Sequence, residues 1–205
     1  MKFSKITLLT DYPIQDFAYE RNRLLDQAKS DWVLFVDSDE TASDELLAEI
    51  ERIKETGKYL GYLIKRQDYF FGKWLSHGET GNIRLLRLGK REAGRWSRKV
   101  HEVWEIDGQE TVGELKGVIK HTPHKNIYDL IKKINFYSDI DAKEFGKPHL
   151  WDWAKPGVKF FQNYFLRLGF LDGMAGFVHA LMMAFQSLAI RVKQYDFSKT
   201  SPTAW

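Results

Sequence analysis

The chain has 205 residues, enough for one sizeable domain or a domain with a small appendage, and 43% hydrophobic and 29% charged residues are ordinary for a globular protein. A net charge of +3 is too small to argue for nucleic acid, and the absence of cysteine excludes disulfides, thiolate metal sites and thiol nucleophiles. Aromatic residues reach 15%, with seven tryptophans, a content that suits a sugar-binding surface or a membrane interface equally.

Met1 to Ile6 contain no long apolar run and so read as no secretory signal. Ile6 to Leu9 form a short strand candidate, closed by Asp11-Tyr12-Pro13. A helix is predicted from Asp16 to about Lys29, with Phe17, Leu24, Leu25 and Ala28 at helical spacing. Trp32 to Val36 is then a continuous apolar run that stops at Asp37. A run without alternation implies a strand buried on both faces, as in the middle of an α/β sheet. Ser43-Asp44-Glu45 has the form of a helix N-terminus, with the helix continuing to about Lys54.

From Tyr59 to Trp104 the pattern turns β-rich, with strands expected at Gly61–Arg66, Ile83–Arg87 and Val100–Trp104, and another at Val118–His121. Ile127 to about Phe145 predicts a helix with Ile127, Leu130, Ile131, Ile134 and Tyr137 on one stripe. Val158 to Val192 is rich in Phe, Leu, Met and Ala. From Lys155 onward there are six basic residues (Lys155, Lys159, Arg167, Arg191, Lys193, Lys199) against Asp172 and Asp196. His179, Gln186 and Ser187 interrupt its most apolar part, so two helices lying on a bilayer surface are expected in preference to a spanning helix. An ordinary helical hairpin packed on the domain is the alternative.

Asp37 and Asp39 fall where a buried strand ends, the ligand-binding edge of an open α/β sheet. Two carboxylates one residue apart can hold a ribose hydroxyl and a divalent cation bridging a diphosphate, and hard oxygen ligands favour Mg²⁺ or Mn²⁺. A plain loop or helix-capping cluster has the same composition.

The surroundings are more specific. Asp16-Phe17-Ala18-Tyr19-Glu20-Arg21-Asn22, followed by Ala28 to Glu40, resembles the heart of the family 2 glycosyltransferases of GT-A type. The resemblance continues in order through Ile83–Arg87, Gly94–Ser97, Val100-His101-Glu102, His121-Thr122 and Gly169–Gly173. That series is similar to the lipopolysaccharide-core and related cell-envelope branch. It implies an α/β fold: a partial GT-A (Rossmann-like) sheet over residues 1–125, with a C-terminal amphipathic helical extension, 126–205, at the membrane surface. It also implies a sugar transfer from a nucleotide-sugar donor to a lipid-linked or cell-envelope glycan acceptor, inverting and metal-dependent, at the cytoplasmic face of the membrane.

The same resemblance gives roles to positions. Asp37 contacts the nucleotide portion, and Asp39 holds Mn²⁺ or Mg²⁺ at the diphosphate with His121 beside the metal. Arg21 meets the phosphates or braces the acidic loop; apart from the resemblance, Arg84 and Arg87 alternate with Ile83 and Leu85-Leu86, so at least one of them faces the site or its rim. Glu102 is the base that takes the acceptor proton, with His101 orienting the site or capping a strand. Structural support of the loop, an inert surface Glu and a structural His are the competing readings. Trp74, Trp96 and Trp104 either stack on an acceptor sugar or pack the core.

The chain departs from the family at its start. No strand, Pro/Asn/Glu-bearing loop and second strand precede Asp16, so Ile6–Leu9 corresponds to the third strand and the nucleotide-base end of the donor site is expected to be missing. The Asp37 strand would then lack its edge partner, at roughly 1–3 kcal/mol per unpaired buried group. Either Ile6–Leu9 shifts into the vacancy or a partner chain or second copy supplies the strand. The rival functions are a non-catalytic, membrane-associated remnant or interaction module, and a metal-dependent hydrolase using Asp37, Asp39 and His121.

Overall fold

The computed structural model describes residues 3–8, 16–53, 59–98, 102–108, 111–124 and 126–200. Leu9, the turn at Asp11-Tyr12-Pro13, Lys54, Val100 and His101 lie outside the described residues. The chain divides into two compact units: Met1–Asp68 with Asn82–Thr122, and Tyr69–Gly81 with Pro123–Trp205.

The first unit begins with strand β1 (Phe3–Leu8) and helix α1 (Phe17–Gln27). Asp16 caps α1 by accepting from the Tyr19 amide at 2.9 Å, which fixes where the helix starts. The apolar run becomes β2 (Trp32–Asp37), and Glu40–Ala42 forms the short β3 after only two linking residues. Helix α2 (Asp44–Arg52) is capped by the Ser43 hydroxyl. Next come β4 (Gly61–Phe70) and β5 (Lys73–Trp74), whose paired residues belong to the second unit. Four strands follow: β6 (Arg84–Lys90), β7 (Gly94–Ser97), β8 (Val103–Ile106) and β9 (Val112–His121).

The main sheet has the order β1-β2-β6-β4-β9-β3, with β7 and β8 paired separately as a ribbon. The β1–β2 and β4–β9 pairs are parallel; the β2–β6, β4–β6 and β3–β9 pairs are antiparallel. This is an α/β fold with a partial Rossmann-like sheet. The expected vacancy beside β2 is filled from within the chain, because β1 pairs with β2 in unbroken register from Phe3↔Trp32 to Leu8↔Asp37.

β2 and β3 stand far apart in the strand order yet are joined only by Ser38 and Asp39. Two residues bridge about 10 Å at most. The sheet must therefore curl until β3 and β9 return to the C-terminal end of β2, and Asp39 lies in the closing seam. Both faces of β2 are covered, as its lack of alternation predicts. Trp32, Leu34 and Val36 pack with Leu46, Ile50, Ile64 and Ile119, while Val33 and Phe35 pack with Leu25, Trp96 and Trp104. β9 runs six residues earlier than the sequence suggests. Its alternating Val112–Lys116 stretch is half exposed and too polar to stand out.

In the second unit, α3 (Ile127–Phe145) matches its predicted span and is capped by Asn126. Of its stripe, Leu130 and Ile134 are buried, whereas Ile127, Ile131 and Tyr137 are exposed. Helix α4 (Lys155–Phe161) continues into a π-helical turn at Gln162–Leu166, and the long α5 (Gly173–Thr200) packs on α3 and α4. Phe70, Leu75, Leu130, Ile134 and Ala175 form the apolar core of this unit. The C-terminal segment Gly169–Lys199 is long and apolar enough to cross a membrane by length and composition, although His179, Gln186 and Ser187 interrupt it in sequence.

Candidate active site

The end of β2 delivers Asp37 and Asp39 to two adjoining clusters of charge. In the first, Arg21 projects from α1 and is 1% exposed. Its Nη2 donates to Asp37 Oδ1 at 2.7 Å, and its Nε donates to Glu102 Oε1 at 3.0 Å. Arg87, from β6, donates to the other Asp37 oxygen at 2.9 Å and lies 3.7 Å from Glu40. Glu40 turns back to accept from the Asp37 amide at 3.0 Å, which pins the loop after β2.

Arg21 also lies 4.7 Å from the centroid of the Trp96 ring. Burial, and after it the charge of Arg87, lower its hold on its proton, while Asp37 and Glu102 oppose that shift. Arg21 thus braces the acidic loop and ties it to the segment bearing Glu102. The neighbouring Asn22 exchanges two hydrogen bonds of 2.9 Å with the Trp96 backbone, so Arg21-Asn22 anchors β7 to α1. Arg21 Nη1 and the Arg87 Nε and Nη1 atoms are buried without a hydrogen-bond partner. Orphaned guanidinium donors are costly, and an anion or an ordered water can satisfy them.

Asp37, Arg66, Arg84, Arg87, Trp96 and Glu102 share the lining of one cleft of about 840 Å³. The structure therefore brings together three of the expected donor and acid–base positions, Asp37, Arg84 and Glu102. Arg84 pairs with Glu114 and is partly exposed, whereas Arg87 holds Asp37. Trp96 and Trp104 are core residues: both are buried, stacked on each other at 5.3 Å and edge-on to Phe35. Trp74 lies edge-on to Tyr69.

The second cluster is built on His121. Its Nδ1 lies 2.9 Å from Asp68 Oδ1, and its Nε2 lies 3.4 Å from Asp39 Oδ2. Asp68 is in turn held by Arg66 at 2.9 Å. Burial works against charge on His121, but its hydrogen bonds to the Asp39 and Asp68 carboxylates outweigh it and raise its pKa above the usual value. Burial likewise pushes Asp68 up, and the bonds from His121 and the Arg66 charge more than reverse it, leaving Asp68 lowered. The parallel register of β4 and β9 places Asp68 opposite His121, and the β3–β9 register places Glu40 opposite the same residue.

Among the described residues no three His, Asp or Glu side chains form a metal-binding group. Asp39 and His121 fit a different kind of site. Mg²⁺ and Mn²⁺ commonly take one or two protein ligands, with water and substrate phosphate supplying the rest. A ligating His commonly donates its other ring nitrogen to a carboxylate, which is the part Asp68 plays towards His121. Asp68 and Arg66 have no distinctive sequence signal of their own and are placed here by strand pairing, whereas Glu40 and Arg87 lie within the stretches Ala28–Glu40 and Ile83–Arg87 that the sequence singles out.

No protein-family model matches the chain. Its sequence is 28% identical to a protein of Rickettsia typhi named an uncharacterized glycosyltransferase, over 84% of this chain and 64% of that protein. Proteins of the same name from Rickettsia prowazekii and Rickettsia bellii are each 27% identical, over 84% and 77% of this chain and 64% and 59% of theirs. The chain spans less than two thirds of the length of these curated relatives. It is similar over most of its own length to proteins named as glycosyltransferases.

Proposed function

We propose that the chain carries the metal-and-diphosphate end of a glycosyl-transfer site of the family 2, GT-A type. The observation that supports this most directly is the placement of Asp37 and Asp39 at the C-terminal end of the buried β2. There Asp37 shares a cleft with Arg84 and Glu102, and Asp39 faces His121. The donor is a nucleotide-sugar, and the acceptor a lipid-linked or cell-envelope glycan, with the chain peripheral at the inner face of the membrane.

Asp39 and His121 would hold Mn²⁺ or Mg²⁺, which when bound stabilises the leaving diphosphate. The remaining work belongs to the chain. Arg21 and Arg87 hold both Asp37 oxygens and fix the carboxylate for the nucleotide portion, and their unpartnered N–H groups favour an anion nearby. Arg84 and Arg66 add positive charge to the cleft wall. Glu102 receives its contacts from Arg21 on Oε1, and it accepts the proton of the attacking acceptor hydroxyl. Asp68 orients the His121 ring through Nδ1, which leaves Nε2 directed to Asp39.

Titration calorimetry with UDP and Mn²⁺ tests the reading. Nucleotide binding that needs Mn²⁺ and disappears in Asp39→Ala is expected. No heat at millimolar nucleotide, or unaltered Mn²⁺-dependent binding in Asp39→Ala, would overturn it.

A further inference from the structure

Helix α5 carries its apolar side chains outward. Met174, Phe177, Leu181, Phe185, Leu188, Val192 and Tyr195 are all exposed. Their three- and four-residue spacings put them on one helical face, about 30 Å long at 1.5 Å per residue. The polar residues take the opposite arrangement. Asp172, just ahead of the helix, and His179 and Gln194 within it are buried, as are Ser138 and Asn163 elsewhere in the same unit. Water-facing helices distribute polarity the other way. Polar groups inside and apolar groups outside is the distribution expected of a surface in contact with lipid.

We propose that this face of α5 rests in the interface of an anionic lipid bilayer, with the helix lying in the membrane plane. This names the surface behind the membrane location proposed above, and it holds whether or not sugar is transferred. Two observations favour lipid as the occupant. Residues 123–205 carry eleven Lys and Arg against seven Asp and Glu, so even with Lys155, Lys159 and Lys193 paired to Asp152, Glu79 and Asp139 the net positive charge complements anionic headgroups. Leu150 and Trp151 are 84% and 85% exposed, and the nearby Trp153 ring lies 6.3 Å from Tyr195 at the far end of the stripe, so aromatic residues suited to an interface adjoin it. The in-plane orientation follows from α3, which lies alongside. Lys193 bonds Asp139 at 2.7 Å and the Asn135 carbonyl at 2.6 Å, so a spanning α5 would draw the charged α3 into hydrocarbon.

Flotation of the full chain with phosphatidylcholine vesicles, with and without phosphatidylglycerol, tests the proposal. The chain should float with the anionic vesicles, be released by alkaline carbonate, and show tryptophan quenching by brominated lipid. Leu181→Glu with Leu188→Glu should lower the bound fraction about tenfold or more, with helix content and Mn²⁺ binding unchanged. Flotation of that variant equal to the parent would overturn the proposal. Resistance to carbonate would show a spanning helix instead. A dimer in vesicle-free buffer that the two substitutions dissociate, with no flotation, would show that a second copy covers the face. Asp39→Ala should float normally, which separates failure here from failure of the transfer reading.

Discussion

The two units bury opposite things. The first follows the usual rule around β2, with Trp32 to Val36 enclosed by apolar side chains, and it admits charge only where guanidinium and carboxylate meet at the strand end. The second keeps Asn163, Asp172 and Gln194 inside and leaves a row of Phe, Leu and Met outside. In the first unit buried polarity is concentrated at one edge, where a ligand would use it. In the second it is spread through the packing: Asp172 accepts from the Ser76 and His77 amides at 2.9 and 2.8 Å and holds that loop in place. Buried charge therefore marks the candidate site in one unit and architecture in the other.

Substitutions can break this contrast, beginning with the most damaging. Arg21→Ala should cost about 3–5 kcal/mol in urea unfolding, because it leaves Asp37 and Glu102 without a partner they share. A loss below about 1 kcal/mol would mean the pair is solvated, not structural. Gly176→Ala should destabilise the second unit by about 1–3 kcal/mol or more, since a methyl there would meet the Gly169 carbonyl oxygen at 1.9 Å. Unchanged thermal unfolding of that variant would contradict the close helix approach. Leu181→Ser should alter stability by no more than about 0.5 kcal/mol despite removing a large apolar side chain. A loss of several kcal/mol would show that the row is covered by protein.

The smallest effect sharpens the contrast through pH. The folded pKa of His121 is raised, so its stabilising contribution is complete below the unfolded value of about 6.5 and is lost as pH rises through the folded value. A metal at Nε2 competes with that proton, so Mn²⁺ affinity should climb over the same interval. Relaxation titrations with Mn²⁺ across that range, compared with His121→Gln, would show it; pH-independent affinity would remove His121 from the metal.

Much of the first unit was legible in sequence because it depends on local pattern. The unbroken run Trp32–Val36 announced a doubly covered strand, and Asp16 and Ser43 announced their helices. What escaped depends on pairing between distant segments. Asp68 reaches His121 only through the β4–β9 register, and the sheet's curl follows from β3 joining β9 instead of its neighbour in sequence. β1 beside β2 was open among alternatives, since three apolar residues in a short strand do not name their partner strand. On α5 the sequence is apolar on most sides, so periodicity alone could not tell the inward face from the outward one.

The seam between β2 and β3 has one further consequence. The Thr122 amide donates to the Asp39 carbonyl at 2.9 Å, and Glu40 pairs with His121 in the ladder. The acidic loop and the imidazole are thus carried on one stretch of hydrogen-bonded backbone and cannot drift apart separately. Local fraying would have to open both together, so deuterium uptake at the Thr122 amide reports on the integrity of the whole pair. Slow uptake there, further slowed by Mn²⁺, would read the loop's order directly, without substrate or product.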